Sequence, residues 1–351
     1  MMMMKVALPL GLLLLFGIWM YISIVPPPPK ICGTPGGPPV TGARITLRDG
    51  RHLAYEEYGV PKEMAKYKII YVHGHSQNKR DPFPSTPGLF EEFQAYIVAF
   101  DRPGYGESDP DSKRTVKSTT LDIEELADQL ELGDKFHVIG YSSGGAITWG
   151  CLKYIPHRLA GAILMAPGIS FWWPGLPKDL SEQALKQQEP WMQWNFLIAH
   201  YAPWLLYWWN TQNTQVFFPQ RKEIHNPQSV NTLSNSDPQQ NSDEEYSTQQ
   251  GLYESFLRDF MVGFGKWEFE PLDLENSFNN SDVSIQLWQG GADEAVPVVL
   301  QRYIVERLPW IEYHEVPNVG HKFALENSVK RQIMMSLVMN KKVSSSSINS
   351  A

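Results

Sequence analysis

The length, composition and charge of the chain describe an ordinary globular protein and exclude several functional classes. Its 351 residues are 42% hydrophobic and 19% charged, with a formal net charge of −8. This acidic balance argues against a nucleic-acid partner. The chain has only two widely separated cysteines, Cys32 and Cys151, too few for a disulfide framework or a metal cluster. We therefore expect no bound metal or cofactor, and we interpret Cys151 as a small buried packing residue.

The N-terminal segment is the one part of the sequence that does not look globular. Val6–Val25 is a run of 20 residues without a charge, about the length of a helix that crosses a bilayer. A cleaved signal peptide is the alternative, but its apolar part is normally shorter, and here the run ends in PPPPK instead of a cleavage site. We therefore predict a single-pass membrane anchor over residues 1–25, in the endoplasmic reticulum or secretory pathway. Cleavage of the segment would make the protein secreted.

The chain after the anchor predicts a layered α/β domain. A Pro/Gly-rich linker is expected over residues 26–42. Alternating residues on both sides of Asp49-Gly50 predict a β-hairpin. From Lys68 onwards, short apolar runs such as KIIYV, AYIVAF, KFHVIGY and LAGAILM alternate with helical segments. This alternation predicts a mostly parallel, twisted sheet with helices on both faces.

The alternation is interrupted between residues 168 and 278. This segment contains eight of the 12 tryptophans of the chain, which predicts a helical, aromatic-rich insertion, with an exposed polar loop over residues 226–250. The sheet domain would then consist of residues 43–167 and 279–341. A disordered tail is expected over residues 342–351.

Two adjacent serines lie where one of the predicted strands meets a helix. Gly140-Tyr141-Ser142-Ser143-Gly144 follows the apolar run FHVI and opens the helical segment GGAITWG. In that context G-x-S-x-G is typical of a nucleophile elbow, a tight turn that exposes the central serine at the end of the strand. The pattern selects Ser142 as the nucleophile and Ser143 as a backbone N–H donor to an oxyanion hole. A glycine-rich turn that only allows close helix packing is the alternative for an isolated motif.

A reactive serine needs a base and an acid that orients it, and in this sheet order both follow the serine. Of the nine histidines, His321 in VPNVGHKF is predicted to follow the last strand. Asp293 in LWQGGADEAVP follows the strand before it, with Glu294 as its alternative. Alone, Asp293 would be interpreted as a turn residue or helix cap. In the early loop YVHGHSQNKRD, the backbone N–H of His75 is expected to be the second oxyanion donor, and His73 is interpreted as a residue that braces the loop.

These segments together resemble the α/β-hydrolase fold family. The resemblance rests on His73-Gly74, DRPGYGESDP, the glycine–serine motif around Ser142, QGGADEAVP and Gly320-His321. It implies that the insertion over residues 168–278 is a lid above the nucleophile. Within that superfamily the phrases RTVKSTTLDIEELADQL and CLKYIPHRLAGA are similar to those of a group of plant proteins with an N-terminal hydrophobic segment. Many family members carry an apolar residue at the position of Ser143.

The nucleophile decides among the chemistries that share this fold. Epoxide hydrolases and haloalkane dehalogenases share the fold but need a carboxylate nucleophile at the elbow, so Ser142 argues against both. Ser142, Asp293 and His321 predict a serine esterase or lipase-like enzyme that cleaves a carboxylic ester, or a thioester, through an acyl-enzyme. The aromatic insertion suggests an apolar small-molecule substrate. Two alternatives remain: an acyltransferase or specialised-metabolism lyase or cyclase with the same triad, and a non-catalytic receptor for a small ligand.

Overall fold

A single eight-stranded sheet forms the centre of the protein. The computed structural model describes residues 12, 14–15, 17–80, 88–211, 238–278 and 283–339. The strands, in the spatial order β1-β2-β4-β3-β5-β6-β7-β8, are β1 (Ala43–Thr46), β2 (His52–Gly59), β3 (Tyr67–Val72), β4 (Ala95–Phe100), β5 (Phe136–Tyr141), β6 (Leu159–Met165), β7 (Ile285–Gly290) and β8 (Glu312–Val316). The β1–β2 and β2–β4 pairs are antiparallel and the other neighbours are parallel. The mostly parallel α/β architecture predicted from the sequence is therefore confirmed.

The antiparallel edge of the sheet begins with the predicted hairpin. Ala43 in β1 lies opposite Tyr55 in β2. The turn between the strands is closed by the Gly50 N–H, which donates to the Leu47 carbonyl at 2.8 Å. Gly50 has a φ of +90°, a backbone conformation that glycine adopts without strain. The turn chemistry at Asp49-Gly50 thus determines where the first two strands pair.

Helices cover both faces of the sheet, and further helices lie in the described residues between β6 and β7. They are α1 (Leu89–Glu92), α2 (Val116–Gln129), α3 (Ser143–Tyr154), α4 (Lys178–Lys186), α5 (Pro190–Tyr201), α6 (Leu206–Thr211), α7 (Pro238–Thr248), α8 (Arg258–Phe264), α9 (Val298–Arg307) and α10 (Asn327–Met339). One apolar cluster joins α2, α3 and α9 to one face of the sheet, with Ile123 and Trp149 fully buried. A second cluster joins α1 and α10 to the opposite face, with Phe90 and Ile333 buried. Burial of both faces explains why the parallel strands are continuous apolar runs in the sequence.

The described residues between β6 and β7 include several helices, but one part of the prediction for this segment is wrong. Residues 226–250 were expected to form an exposed loop, and residues 238–248 instead form α7; residues 226–237 lie outside the described part of the chain. Tyr246 and Gln250 are 7% and 0% exposed. The Tyr246 hydroxyl donates to Asp101 at 2.8 Å and the Gln250 amide donates to the Ser108 carbonyl at 2.7 Å. Polar side chains are buried here because buried acceptors of the sheet domain satisfy them.

The tryptophans of the insertion differ widely in burial. Trp173 is 5% exposed and packs edge-on against Trp149 and Trp267. In contrast, Trp194 and Trp204 are 49% and 59% exposed. The aromatic content of the insertion is therefore explained only in part by packing in its own core.

The predicted linker, residues 26–42, lies against the folded body instead of standing away from it. The Lys30 N–H donates to the Gln250 carbonyl at 2.8 Å, and the Cys32 N–H donates to the Gln250 side-chain oxygen at 3.0 Å. Cys32 is 3% exposed. Cys151, in α3, is 0% exposed, which confirms its interpretation as a packing residue.

The two ends of the chain extend beyond the described residues. The predicted tail, residues 342–351, lies outside them, and so does part of the predicted anchor, residues 1–25. Within the part of the chain that the structure describes, none of the helices combines the length and the apolar character that a membrane span requires.

Candidate active site

Ser142 occupies the sharp turn between β5 and α3. Its backbone has φ +54° and ψ −116°, and α3 begins at the next residue. A positive φ is uncommon for a residue with a side chain, and a sparsely populated conformation of this kind costs about 1–3 kcal/mol. Neighbouring contacts stabilise it: the Ser142 N–H donates to the Met165 carbonyl at 2.8 Å, and its carbonyl accepts from the Gly168 N–H at 2.9 Å. The turn is thus held from the adjacent strand.

The glycines on either side of Ser142 allow a very close approach of neighbouring backbone. A Cβ at Gly140 would lie 2.1 Å from the Thr148 hydroxyl oxygen, and a Cβ at Gly144 would lie 2.0 Å from the Val72 carbonyl oxygen. Any larger residue at either position would force the strand and helix apart. The need for glycine at these positions follows from packing, as the sequence motif indicated.

His321 lies between Ser142 and Asp293 and contacts both. It follows β8, in a short 3₁₀ segment over His321–Leu325. Its Nδ1 is 2.8 Å from Asp293 Oδ2, and its Nε2 is 3.0 Å from Ser142 Oγ. Because a carboxylate only accepts hydrogen bonds, Nδ1 carries the proton, and Nε2 is left to accept from the serine hydroxyl. The structure therefore brings the three predicted side chains together in the order serine, histidine, acid.

Asp293 is held by more contacts than the one to His321. Its side chain is fully buried. Oδ1 accepts from the Ala295 and Val296 N–H groups, each at 2.9 Å, and Oδ2 also accepts from the Gln289 amide at 2.8 Å. This arrangement fixes the direction of the carboxylate. Glu294, the alternative acid, is exposed.

Tyr141 is a further residue at the site, and sequence reasoning missed it. Its ring stacks on His321 with centroids 5.2 Å apart and an interplanar angle of 29°. Its hydroxyl donates to the His321 carbonyl at 2.9 Å. Both contacts limit the movement of the imidazole. A signal existed in the motif itself, since residue 141 immediately precedes the serine, but the spacing alone does not give its orientation.

The two candidate oxyanion donors, Ser143 and His75, lie on segments next to Ser142. Ser143 is the first residue of α3, where N–H groups have no partner within the helix and the helix dipole favours negative charge. His75 follows Gly74, where a Cβ would lie 3.2 Å from the Ser142 Cβ. The loop after β3 therefore passes directly beside the nucleophile. The role of both N–H groups in catalysis remains a prediction.

His73 braces that loop, as predicted. It is fully buried, its Nε2 accepts from the Arg102 N–H at 3.1 Å, and its Nδ1 is 2.8 Å from the Gly74 carbonyl oxygen. Because Nε2 accepts, Nδ1 carries the proton and donates. Burial, together with the positive charge of Arg102, lowers the pKa of His73 well below its usual value. The imidazole is therefore neutral and serves as a fixed hydrogen-bonding strut.

The side chain of His75 contacts the helical insertion. Its ring centroid is 3.7 Å from that of Phe256 and 5.1 Å from that of Phe260. Phe260 in turn packs on Phe196 and Phe264. Burial lowers the pKa of His75, so its ring adds a neutral surface to this aromatic cluster. A buried aromatic cluster of the insertion therefore packs against the loop that passes beside Ser142.

Comparisons with known proteins agree with this architecture. The model of the alpha/beta hydrolase family matches residues 69–331. Among curated proteins, a pimeloyl-[acyl-carrier protein] methyl ester esterase of Edwardsiella ictaluri is 28% identical over 119 residues, 33% of this chain and 43% of that protein. Protein ABHD14A of Rattus norvegicus is 28% identical over 161 residues, 45% of this chain and 65% of that protein. The matched part is therefore less than two thirds of each of these relatives.

Solved structures share the fold at low sequence identity. An esterase from Exiguobacterium antarcticum has a TM-score of 0.54 and 18% identity, and the match covers 85% of this chain and 100% of that one. A thermophilic esterase from Thermogutta terrifontis has a TM-score of 0.51 and 16% identity, with 86% and 98% covered. At these identities the likeness establishes a common fold.

Proposed function

The chain belongs to the alpha/beta hydrolase family, and from that premise we propose that it is a serine hydrolase that cleaves a carboxylic ester of a largely apolar small molecule. Family membership and the esterase-like relatives support a hydrolase. One observation carries the finer proposal. His321 contacts Asp293 at 2.8 Å through one ring nitrogen and Ser142 at 3.0 Å through the other. These are hydrogen-bond distances at which a base can activate a hydroxyl.

The proposed reaction proceeds through an acyl-enzyme. Ser142 Oγ attacks the ester carbonyl carbon while its proton passes to His321 Nε2. The tetrahedral intermediate collapses, the bond to the alcohol oxygen breaks, and His321 gives its proton to the leaving alcohol. Water then attacks the acyl carbon, loses a proton to His321 and releases the acid as Ser142 regains its hydrogen. The Asp293 carboxylate accepts from Nδ1–H and stabilises the imidazolium that forms in both halves.

The proposed oxyanion hole consists of the Ser143 and His75 N–H groups. Support comes from their positions, at the start of α3 and beside Gly74 in the loop that packs on Ser142. Backbone donors of this kind need no reorganisation when the negative charge develops, and each contributes about 3–4 kcal/mol to the barrier reduction.

The aromatic cluster that packs on His75 supports an apolar acyl or alcohol group in the substrate. Phe256 and Phe260 lie closest to the loop. Because each buried methylene contributes about 0.8 kcal/mol, an acyl chain that packs against this cluster should raise kcat/KM by up to about fourfold for each added carbon.

Hydrolysis of a series of p-nitrophenyl esters tests this proposal. We expect turnover of the acetate, butyrate and octanoate, with kcat/KM rising along the series, and loss of turnover in Ser142→Ala. Addition of a primary alcohol distinguishes hydrolysis from acyl transfer, because a transferase would yield the new ester. Absence of turnover for every ester in a folded wild-type protein would instead favour the non-catalytic receptor.

We also propose that residues 6–25 anchor the protein in a membrane. The proposal rests on the run of 20 residues without a charged side chain. Extraction of membranes with alkaline carbonate tests it against a chain that starts at residue 26. An anchored full-length protein stays in the pellet while the shortened chain is soluble; release of both would contradict the anchor.

A further inference from the structure

A buried cluster of charges joins the insertion to the loop beside the nucleophile. Asp259, in α8, is 7% exposed. Its two oxygens accept from Arg102, with Nη1 at 2.7 Å from Oδ1 and Nη2 at 2.6 Å from Oδ2. Arg114 donates to Oδ1, and the Tyr105 hydroxyl donates to Oδ2 at 2.6 Å. Asp259 is thus a single carboxylate from the insertion that accepts hydrogen bonds from three side chains of the segment between β4 and α2.

Asp259 stays ionised in this buried cluster. Burial alone would raise the pKa of Asp259, but the positive charges of Arg102 and Arg114 outweigh it and hold that pKa well below its usual value. Arg102 is 2% exposed, so water does not screen the pair, and interactions are stronger than at the surface. The pair therefore fixes the position of the Arg102 guanidinium relative to α8.

Arg102 also contacts the loop that carries the proposed oxyanion donor. Its Nη2 donates to the Gly74 carbonyl oxygen at 3.1 Å, and His73 donates to the same oxygen at 2.8 Å. The Gly74 C=O and the His75 N–H belong to one planar trans peptide, so they point in opposite directions. Two donors that hold the carbonyl therefore determine the direction of the N–H. Hydrogen bonds to the carbonyl, one of them charge-assisted, also polarise the amide and strengthen its N–H as a donor.

We propose that Arg102, clamped by Asp259, is a positioning residue that orients and polarises the His75 N–H for the oxyanion. This inference rests on the proposed hydrolase function and extends it. The contact between α8 and Arg102 then determines how strongly the His75 N–H can stabilise the oxyanion. A second contact ties the same loop to the cluster, since His75 Nδ1 is 3.3 Å from Asp259 Oδ2.

The adjacent residue, Arg258, provides a matched control. It is 8% exposed and pairs with both oxygens of Glu254, at 2.7 and 2.8 Å, as Arg102 pairs with Asp259. Its remaining guanidinium nitrogen donates to the Ser112 carbonyl at 2.8 Å. Arg258→Lys therefore disturbs a comparable buried ion pair of the insertion without removing a contact to the Gly74 carbonyl.

The test compares Arg102→Lys, Asp259→Asn and Arg258→Lys with the wild type. It measures kcat and KM for p-nitrophenyl butyrate, the affinity for a trifluoromethyl ketone that forms an oxyanion on the serine, and the melting temperature. We expect Arg102→Lys to lower kcat on the order of 10- to 100-fold while KM stays within twofold of the wild-type value. The affinity for the ketone should fall by a similar factor. Asp259→Asn should change the same parameters in the same direction, and Arg258→Lys should leave them within twofold.

Each outcome decides between the two proposals. If the wild type shows no turnover that depends on Ser142, the hydrolase function fails and this inference fails with it. If turnover is present, a folded Arg102→Lys with wild-type kcat and ketone affinity overturns the inference alone. An equal loss in Arg258→Lys would also overturn it, because the effect would then come from general packing. Should Arg102→Lys not fold, wild-type kcat in Asp259→Asn overturns it.

Discussion

Replacement of Gly144 by alanine tests whether tight packing holds the nucleophile in place. The new Cβ would lie 2.0 Å from the Val72 carbonyl oxygen and 2.7 Å from the His73 carbonyl oxygen. Since ordinary contact begins near 3.4 Å, α3 and the end of β3 must separate by about 1.4 Å. Both neighbours are backbone and cannot rotate away. The overpacking should lower the free energy of unfolding by about 1–3 kcal/mol.

The same displacement should slow the reaction, because Gly144 is in the first turn of α3, next to the nucleophile, and packs on the end of β3, which leads into the loop that carries His75. A misplacement of about 1 Å costs on the order of 100-fold in rate. Urea unfolding and kcat for p-nitrophenyl butyrate measure the two effects. Gly263→Ala is the control, because this glycine lies inside α8 with nothing within 4 Å of an added Cβ. That substitution should raise the free energy of unfolding by up to about 1 kcal/mol. Wild-type stability and rate in Gly144→Ala would refute the packing argument.

Three further predictions concern the acid, a buried cation and pH. Asp293→Asn should lower kcat on the order of 10³- to 10⁴-fold while the protein stays folded, whereas Glu294→Gln should leave kcat unchanged. Equal losses of kcat in the two variants, measured by steady-state kinetics, would show that Asp293 is not the acid of the triad. Lys79→Met should cost about 3–5 kcal/mol in urea unfolding because Lys79, 2% exposed, pairs with two buried carboxylates at 3.3 and 3.1 Å; a loss below about 1 kcal/mol would contradict this. Burial lowers the pKa of His137 and of His314 from 6.5 to about 4. Since the unfolded chain takes up these protons and the fold does not, stability should be full above pH 6.5 and fall as pH drops to about 4, by up to about 3 kcal/mol for each histidine. Urea unfolding at pH 7.5 and 4.5 should show a weaker pH dependence in His314→Gln than in the wild type, and an unchanged dependence would contradict it.

The sheet and the convergence of three side chains could be predicted from the sequence because both depend on local patterns. Apolar runs separated by helical segments determine a parallel sheet, and its strand ends meet at one edge. Ser142, Asp293 and His321 each follow a strand, so topology alone brings them near each other. Gly140 and Gly144 carried a packing signal that the structure explains by contacts of 2.1 and 2.0 Å.

The contacts that the sequence could not provide are those between distant polar side chains. Asp259 lies in a helix of the insertion, and nothing in RDFMVGF indicates that it meets Arg102 across 157 positions. The polar composition of residues 238–250 favoured an exposed loop, yet Tyr246 is buried because it finds an acceptor in Asp101. Composition shows how polar a segment is. Whether its polar side chains are buried depends on hydrogen-bond partners in other parts of the fold.

Covalent labelling followed by peptide mapping tests the central claim most directly. A fluorophosphonate reacts only with a serine that a neighbouring base activates, and mass spectrometry locates the modified residue. We predict one adduct on Ser142, absent from Ser142→Ala and His321→Ala and still present in Ser143→Ala, which keeps its backbone N–H. A folded wild-type protein without an adduct, or with the adduct on Ser143, would contradict the account.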